Sequence, residues 1–368
     1  MARIRTFLRR EPVFLIAALA ALICCFFVPP DRGYWDYLDW RTLSLLYCLM
    51  TVVVGLRQAG LFSHMAHLFC EKAGSLRAMG VLLVLLCFFS SLLITNDVAL
   101  LTFVPFAVVL LGMAGQEKAL TYIVVLQTVA ANLGSMLTPV GNPQNLYLYS
   151  FYGLGMGAFL RITLPIWVLS LLLVLAACLL LPAKALPVFL GEEPGMDKKG
   201  LLGYLALFGV CLLTVLRLLP WPVMLGILLV SLLVWDRKTL GKADFMLLLT
   251  FVAFFIFAGN LARLDAVDRL LRGLLRGREY WTALLTSQVI SNVPAALLLS
   301  RFTEQGKELV LGVNVGGLGT PIASLASLIS LKLYSHAEHA HTGRFLLLFT
   351  AVNLLFLLLL SAAHLLLG

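Results

Sequence analysis

Apolar residues run in long blocks along this chain, at about 13 to 30, 42 to 60, 78 to 94, 98 to 113, 119 to 135, 145 to 158 and 160 to 182. After a polar stretch they resume at 201 to 218, 221 to 235, 244 to 260, 280 to 300, 308 to 334 and 344 to 367. A helix needs about 20 mostly apolar residues to cross a bilayer. Several blocks meet that length, whereas others are too short or are broken by Asn, Thr, Gly and Pro where mid-membrane depth would fall. The pattern predicts an all-α polytopic membrane protein with about nine to eleven spans. The interruptions are the informative part, because lipid offers no hydrogen bonds and broken backbone survives only where protein or a lined cavity satisfies it.

The interruptions also repeat. Asn132, Gly134, Thr138 and Pro139 recur as Asn314, Gly316, Thr320 and Pro321 at a constant offset of 182 residues. Upstream of each copy lies a second matching break, Thr95-Asn96-Asp97 in the first half and Ser291-Asn292-Val293-Pro294 in the second. The segments Gly55 to Gly60 and Gly259 to Leu264 each end a span and lead into a charge-bearing stretch. Two transmembrane repeats follow, residues 1–182 and 221–368, joined by a linker with one extra span at 183–220. Each repeat should hold a re-entrant hairpin and a broken transmembrane helix. If each crosses four times and the extra span makes five, the second copy is inverted, as in many secondary transporters.

Composition narrows the class. The 368 residues are 61% hydrophobic and only 12% charged, which excludes an ordinary soluble domain. The formal charge of +9 is carried by Lys and Arg lying between apolar runs, where membrane loops collect them, so no nucleic-acid partner is expected. Arg3, Arg5, Arg9 and Arg10 precede the first run, and no small-residue cleavage site follows. These features predict an uncleaved first span, a cytoplasmic amino terminus and a multi-pass protein of the cell inner (plasma) membrane. Six of the seven cysteines fall inside apolar runs without a CxxC pair and read as small core residues rather than metal ligands or disulfides.

A binding site in such a fold forms where the two interrupted segments meet, because half-helix ends expose amides and carbonyls there. Thr95, Asn96, Asn142, Asn145, Ser291, Asn292, Thr320 and Ser324 are the expected substrate ligands. Asp97, Asn132, Gly134, Thr138, Asn314 and Gly316 are the expected ion-coupling group. Small polar residues also glue helices together in any bundle; the recurrence of four residue types at one offset sets these apart. Asp97 is the acidic residue well inside an apolar run. Holding it ionised at mid-bilayer without a partner costs about 3 kcal/mol, so it must be paired, protonated or ion-bound. Capping the helix that follows is its structural alternative. Lys332 and Arg161 near helix ends suit snorkelling. His336, His339 and His341 with Glu338 suit a solvated loop, and His64 and His67 beside Glu71 suit an interfacial helix. No metal, cofactor or catalytic motif is read from the chain, and it is not expected to be an enzyme.

The run Asn96-Asp97-Val98-Ala99-Leu100-Leu101 with Pro105 resembles the Asn-Asp segment of arsenite permeases, and Asn292-Val293-Pro294-Ala295 and Thr320 to Leu328 resemble their second-half counterparts. Thr138-Pro139-Val140-Gly141-Asn142-Pro143-Gln144-Asn145 is similar to a signature of citrate-type and divalent-anion/sodium symporters and of sodium/proton antiporters. All belong to one ion transporter superfamily, and the likeness covers roughly residues 40 to 335. It implies an elevator-type carrier, commonly a homodimer, moving a small anion or oxyanion across the lipid bilayer with Na⁺ or H⁺ as coupling ion. Arsenite or antimonite efflux and Na⁺/H⁺ antiport are the alternatives. The hairpin tips here read Thr-Asn-Asp and Ser-Asn-Val, where dicarboxylate symporters carry Ser-Asn-Thr at both.

Overall fold

A computed structural model describes residues 12–70, 73–113, 115–185, 195–335, 337 and 340–367. The amino-terminal arginines, Glu71, His336, Glu338 and His339 lie outside them. Among the described residues the structure is helical, with a single isolated bridge between Ser75 and Ala185. The first half comprises α1 (Pro12–Phe27), α2 (Trp40–Gln58), α3 (Leu61–Cys70), α4 (Leu76–Ser90), α5 (Asn96–Met113), α6 (Glu117–Gly134), α7 (Pro143–Phe151) and α8 (Met156–Cys178). After α9 (Lys198–Val215) come α10 (Trp221–Trp235), α11 (Phe245–Ala262), α12 (Asp265–Leu275), α13 (Glu279–Ile290), α14 (Asn292–Leu299), α15 (Gly306–Val315), α16 (Leu325–Ser335) and α17 (Thr342–Leu367).

Polar caps start these helices at the ends of apolar runs. Asp39, Ser75, Asp197 and Asp244 accept backbone N–H groups of Thr42, Ala78, Gly200 and Leu247 at 3.0, 3.2, 3.1 and 2.9 Å, satisfying donors that each first turn leaves free. Six of the described helices are long and apolar enough to cross a bilayer: α2, a span centred on α6, α8, α9, α11 and α17. With α1 and α10 as short apolar helices, α6 with α7 as one interrupted segment and α15 with α16 as another, the described residues offer nine candidate crossings. The apolar outer faces of α1 and α10 carry strongly exposed side chains such as Phe26 and Val234, as lipid-facing helices do. The buried core lies where α4, α5, α6 and α8 pack with α13 to α17.

The element order of the first eight helices recurs in the last eight, and the packing is reciprocal. The hairpin arm α4 lies on α6 as α13 lies on α15; α1 packs on α11 as α10 packs on α2; α5 packs on α16 as α14 packs on α7. The connecting segments also sort into two ends by their bonds. At one end Asp31 pairs with Arg263 at 2.8 Å, Arg301 reaches the Tyr37 carbonyl, Arg41 reaches Thr214, and Tyr152 reaches Thr303. At the other, Asp197 N–H bonds the Ala59 carbonyl, Lys242 bonds Gln58, Leu76 N–H bonds the Lys184 carbonyl, and Thr121 bonds Tyr334. The amphipathic helix α3 follows Ala59 at the Asp197 end, whereas α12 follows Arg263 at the Asp31 end.

Candidate functional site

The site is built from two breaks and two hairpin tips. Helix α6 runs to Gly134 and continues as a short 3-10 turn, Ser135–Leu137; the chain is then extended at Thr138 and restarts as α7 at Pro143. Proline at that first helical position lacks only a donor that would be unpaired there anyway. Asn142 caps α7 by accepting Asn145 N–H at 2.9 Å. In the second half α15 ends at Val315, a 3-10 turn spans Pro321–Ala323, and α16 restarts at Leu325.

Each break is closed by residues of the other half. Asn132 at the end of α6 accepts Ser324 Oγ at 2.9 Å and donates Nδ2 to Ser327 Oγ at 3.4 Å. Asn314 at the end of α15 accepts Asn142 Nδ2 at 3.1 Å and donates Nδ2 to Asn145 Oδ1 at 2.6 Å. Asn142 and Asn145 plus 182 are Ser324 and Ser327, so the same bond is made twice with the halves exchanged. The likeness extends outward: Tyr334 OH meets Thr121 Oγ1 at 2.8 Å, and Tyr152 OH donates to the Thr303 carbonyl at 3.0 Å, again at offset 182.

The hairpin tips join this set. Asn96 Nδ2 donates to Asn132 Oδ1 at 3.0 Å, and Asn96 N–H bonds the Gly141 carbonyl at 3.1 Å. Ser291 Oγ donates to the Ala323 carbonyl at 3.4 Å, beside Ser324, and the Asn292 amide lies against Gly317. Asn96, Asn132, Asn142, Asn145, Ser291, Asn292, Asn314 and Ser324 are all buried. The two threonines tie break to hairpin in the same manner: Thr138 Oγ1 bonds the Leu92 carbonyl at 2.5 Å, and Thr320 Oγ1 bonds the Gln288 carbonyl at 3.2 Å.

Not every expected residue enters the network. Thr95 and Asp97 are half-buried, and the Asp97 carboxyl forms no hydrogen bond or ion pair among the described residues; its backbone N–H donates to Asn96 Oδ1 at 3.1 Å. The two glycines serve close packing. A Cβ at Gly134 would collide with the Phe88 carbonyl and Ser91 Oγ of the first hairpin, and one at Gly316 with α13 at Leu284. Their carbonyls accept Trp167 Nε1 at 3.0 Å and Gln288 Nε2 at 2.8 Å respectively.

Two glutamines escape sequence inspection. Gln127, buried on α6, donates Nε2 to the carbonyls of Leu83 and Phe103, one on each arm of the first hairpin, at 3.4 and 3.2 Å. Gln288 on α13 donates Nε2 to Gly316 and Leu318 carbonyls at 2.8 and 2.9 Å and accepts Thr320 N–H at 3.0 Å. The available signal was an amide inside an apolar run, one helical turn before the Asn292 tip in the case of Gln288. Chemically, the ensemble offers carbonyl, amide and hydroxyl oxygens able to hold a small hard cation, and amide donors able to hold an oxyanion.

A family profile described as citrate transporter (CitMHS) matches residues 2–304. The chain belongs to the citrate transporter family. Relatives of the chain include an "uncharacterized transporter" of Methanocaldococcus jannaschii, 32% identical over 88% of this chain and 89% of that one. An inner membrane protein, YbiR, of Escherichia coli is 31% identical over 89% and 88% of the two chains. A 46 kDa membrane protein of Mycobacterium leprae is 27% identical over 82% and 80%. The protein is a multi-pass membrane transporter within the ion transporter superfamily, and its family implies an anionic substrate and a bilayer setting.

Proposed function

We propose that this member of the citrate transporter family is a secondary active carrier of a small anion, carboxylate or inorganic oxyanion, coupled to Na⁺ or H⁺ and working by elevator-type alternating access. The supporting observation is the exchanged clasp, in which Asn132 is held by Ser324 and Ser327, and Asn314 by Asn142 and Asn145. It brings both breaks and the Asn96 tip into one buried network, with Ser291 bonded beside it, and reciprocal bonding of this kind is what an inverted pair of repeats would generate. In this reading Thr95, Asn96, Asn142, Asn145, Ser291, Asn292, Thr320 and Ser324 bind substrate, and those among them bonded to the clasp exchange those bonds for bonds to it. Asn132, Thr138, Asn314 and the backbone at Gly134 and Gly316 shape the ion site. Asp97, whose carboxyl has no hydrogen-bond or ion-pair partner among the described residues, carries the proton or binds the cation. The amino terminus is cytoplasmic, the Asp31 end faces outward, the protein sits in the cell inner membrane, and two copies assemble as a homodimer.

The test is a ligand panel, citrate first and then other carboxylates, phosphate and arsenite, scored by thermal shift and by uptake into proteoliposomes with and without Na⁺ at two pH values. A stabilising anion with gradient-driven uptake is expected; stabilisation by arsenite alone would move the assignment to metalloid efflux. Asp97→Asn should abolish dependence on the pH or Na⁺ gradient while retaining ligand binding, and unchanged gradient dependence rejects the coupling role. Asn96→Ala and Asn292→Ala should each weaken binding of the same ligand about tenfold; full affinity in either variant rejects a two-tip site.

A further inference from the structure

Outside that site, three arginines gather at the Asp31 end, where α7 meets α2 and the connection between α9 and α10. Arg217 donates Nη2 to the Tyr149 carbonyl at 3.5 Å and its guanidinium lies 5.4 Å from the centre of the Tyr149 ring. Tyr149 returns its hydroxyl to the Val215 carbonyl at 3.0 Å. Arg301, just beyond α14, donates Nη2 to the Tyr37 carbonyl at 2.8 Å, lies 5.7 Å from the Phe151 ring centre, and has a buried Nε without a hydrogen-bond partner among the described residues. Arg41 donates Nη2 to the Thr214 carbonyl at 3.2 Å and lies near enough to Arg217 for the two charges to repel.

None of the three forms an ion pair with a carboxylate among the described residues. Asp39, the acidic neighbour, is occupied by Thr42 N–H and Oγ1 at 3.0 and 2.6 Å. Arg217 is also held at φ 65°, a backbone region that side-chain-bearing residues seldom adopt. Strain, mutual repulsion and a buried donor are thus all retained at one place. The contacts that hold the guanidinium groups, carbonyl oxygens and ring faces, are weaker than the paired bonds a carboxylate or phosphate-like oxyanion makes with the same fork. Those contacts also fasten the end of α7, clasped to α15 at its other end, to the α9–α10 connection and, through Arg301, to the Tyr37 segment that precedes α2.

We propose that Arg217 and Arg301, with Arg41 behind them, form an anion-receiving gate at the Asp31 end. An arriving anion draws the guanidinium groups off the Tyr149 and Tyr37 carbonyls and off the Tyr149 and Phe151 rings, and so loosens this end of α7. The proposal extends the anion-carrier reading and names residues that select for negative charge before the substrate reaches the buried clasp.

The experiment uses the full chain in proteoliposomes, with Cys25 and Cys70 replaced by serine and Ser150→Cys as a half-buried reporter beside both rings. Thiol-reactive methanethiosulfonates of negative, neutral and positive charge are applied from each face. The anionic reagent should react about tenfold faster than the cationic one. R217Q and R301Q should each pull that ratio toward one and speed the neutral reagent, while R301K should preserve the ratio but still speed the neutral reagent, because lysine keeps the charge without the fork. A ratio near one in the parent, or one unmoved by R217Q and R301Q, overturns the gate. R301K with R217Q decides the matter if R301Q fails to fold. Citrate and phosphate are then added as competitors. Loss of the charge ratio in the arginine variants with no anion bound by the parent would retain the gate and sink the anion-carrier reading; anion binding with an unmoved ratio does the reverse.

Discussion

The two hairpins present nearly the same tip to the site yet hold it by opposite means. In the first, arms of 15 and 18 residues, about 22 and 27 Å long at 1.5 Å per residue, flank an open turn, and Asn96 is fixed by bonds to Asn132 and the Gly141 carbonyl. The fastening amide, Gln127, sits on the broken helix and grips both arms. In the second, the arms are 12 and 8 residues, the tip is the single residue Ser291 at φ 72° and ψ 154°, and the fastening amide, Gln288, sits on the hairpin and grips the break. The first tip is held by side chains of its surroundings, the second by its own backbone and one glutamine. Like residues at two hairpin tips therefore do not require like support, and the strained tip is the better candidate for a part that rearranges.

The comparison can be broken most sharply at the glutamines. Gln288→Ala removes four side-chain bonds, three of them to Gly316, Leu318 and Thr320 backbone groups of the break, so it should lower unfolding stability in detergent by about 2 to 3 kcal/mol. Gln127→Ala, losing two longer bonds, should cost about half of that. Equal losses would mean that the two fastenings are equivalent. At the clasp, Asn132→Ala and Asn314→Ala should each cost about 1 kcal/mol, and the Asn132 change should be the larger because it also frees Asn96.

A smaller and opposite effect is expected at the tips themselves. Ser291→Gly should raise stability by about 1 kcal/mol by relieving the positive φ, whereas Thr95→Gly, where no such strain exists, should lower it by about 0.5 kcal/mol. Stabilisation at both or neither would remove the distinction. The smallest effect lies at the exposed Asp31–Arg263 pair. The Arg263 guanidinium hydrogen-bonded to Asp31 holds its carboxyl below the usual carboxylate range. The contribution is present above the unfolded-state pKa and is lost as pH falls through the lower folded value. Asp31→Asn should flatten acid sensitivity slightly, read as the shift in melting temperature between neutral and acid buffer.

Much of this was legible in the sequence because membrane solvent constrains it so strongly. Apolar run lengths located the helices, and the offset joining Asn132 to Asn314 and Thr138 to Thr320 located the breaks, since lipid tolerates such interruptions only where protein or a lined cavity satisfies the backbone. Thr320 is expected as a substrate ligand and Thr138 in the ion-coupling group; their hydroxyls also tie break to hairpin through the Gln288 and Leu92 carbonyls, a bond that residue type alone does not reveal. Gln288, Gln127 and the Trp167 bond to Gly134 were not legible, because their partners are backbone carbonyls, which no residue pattern marks. The exchange of partners between Asn142 and Asn314 joins segments 172 residues apart and follows only from packing. The arginines at 41, 217 and 301 were legible as charge between spans, a feature that carries information about topology but none about which rings and carbonyls they touch.

Helix α9 has no counterpart in either set of eight, and its neighbours are α2 and α10 alone among the closely packed elements. Its importance exceeds those contacts. One crossing more or fewer reverses the direction in which everything after it threads the bilayer, so a chain lacking α9 would deliver α12 to the same face as α3. The amide clasp could then be made only by pulling half of the protein through the membrane. In the proposed inverted arrangement, parity, set by a single helix that touches none of the candidate site residues, decides whether the two halves can meet.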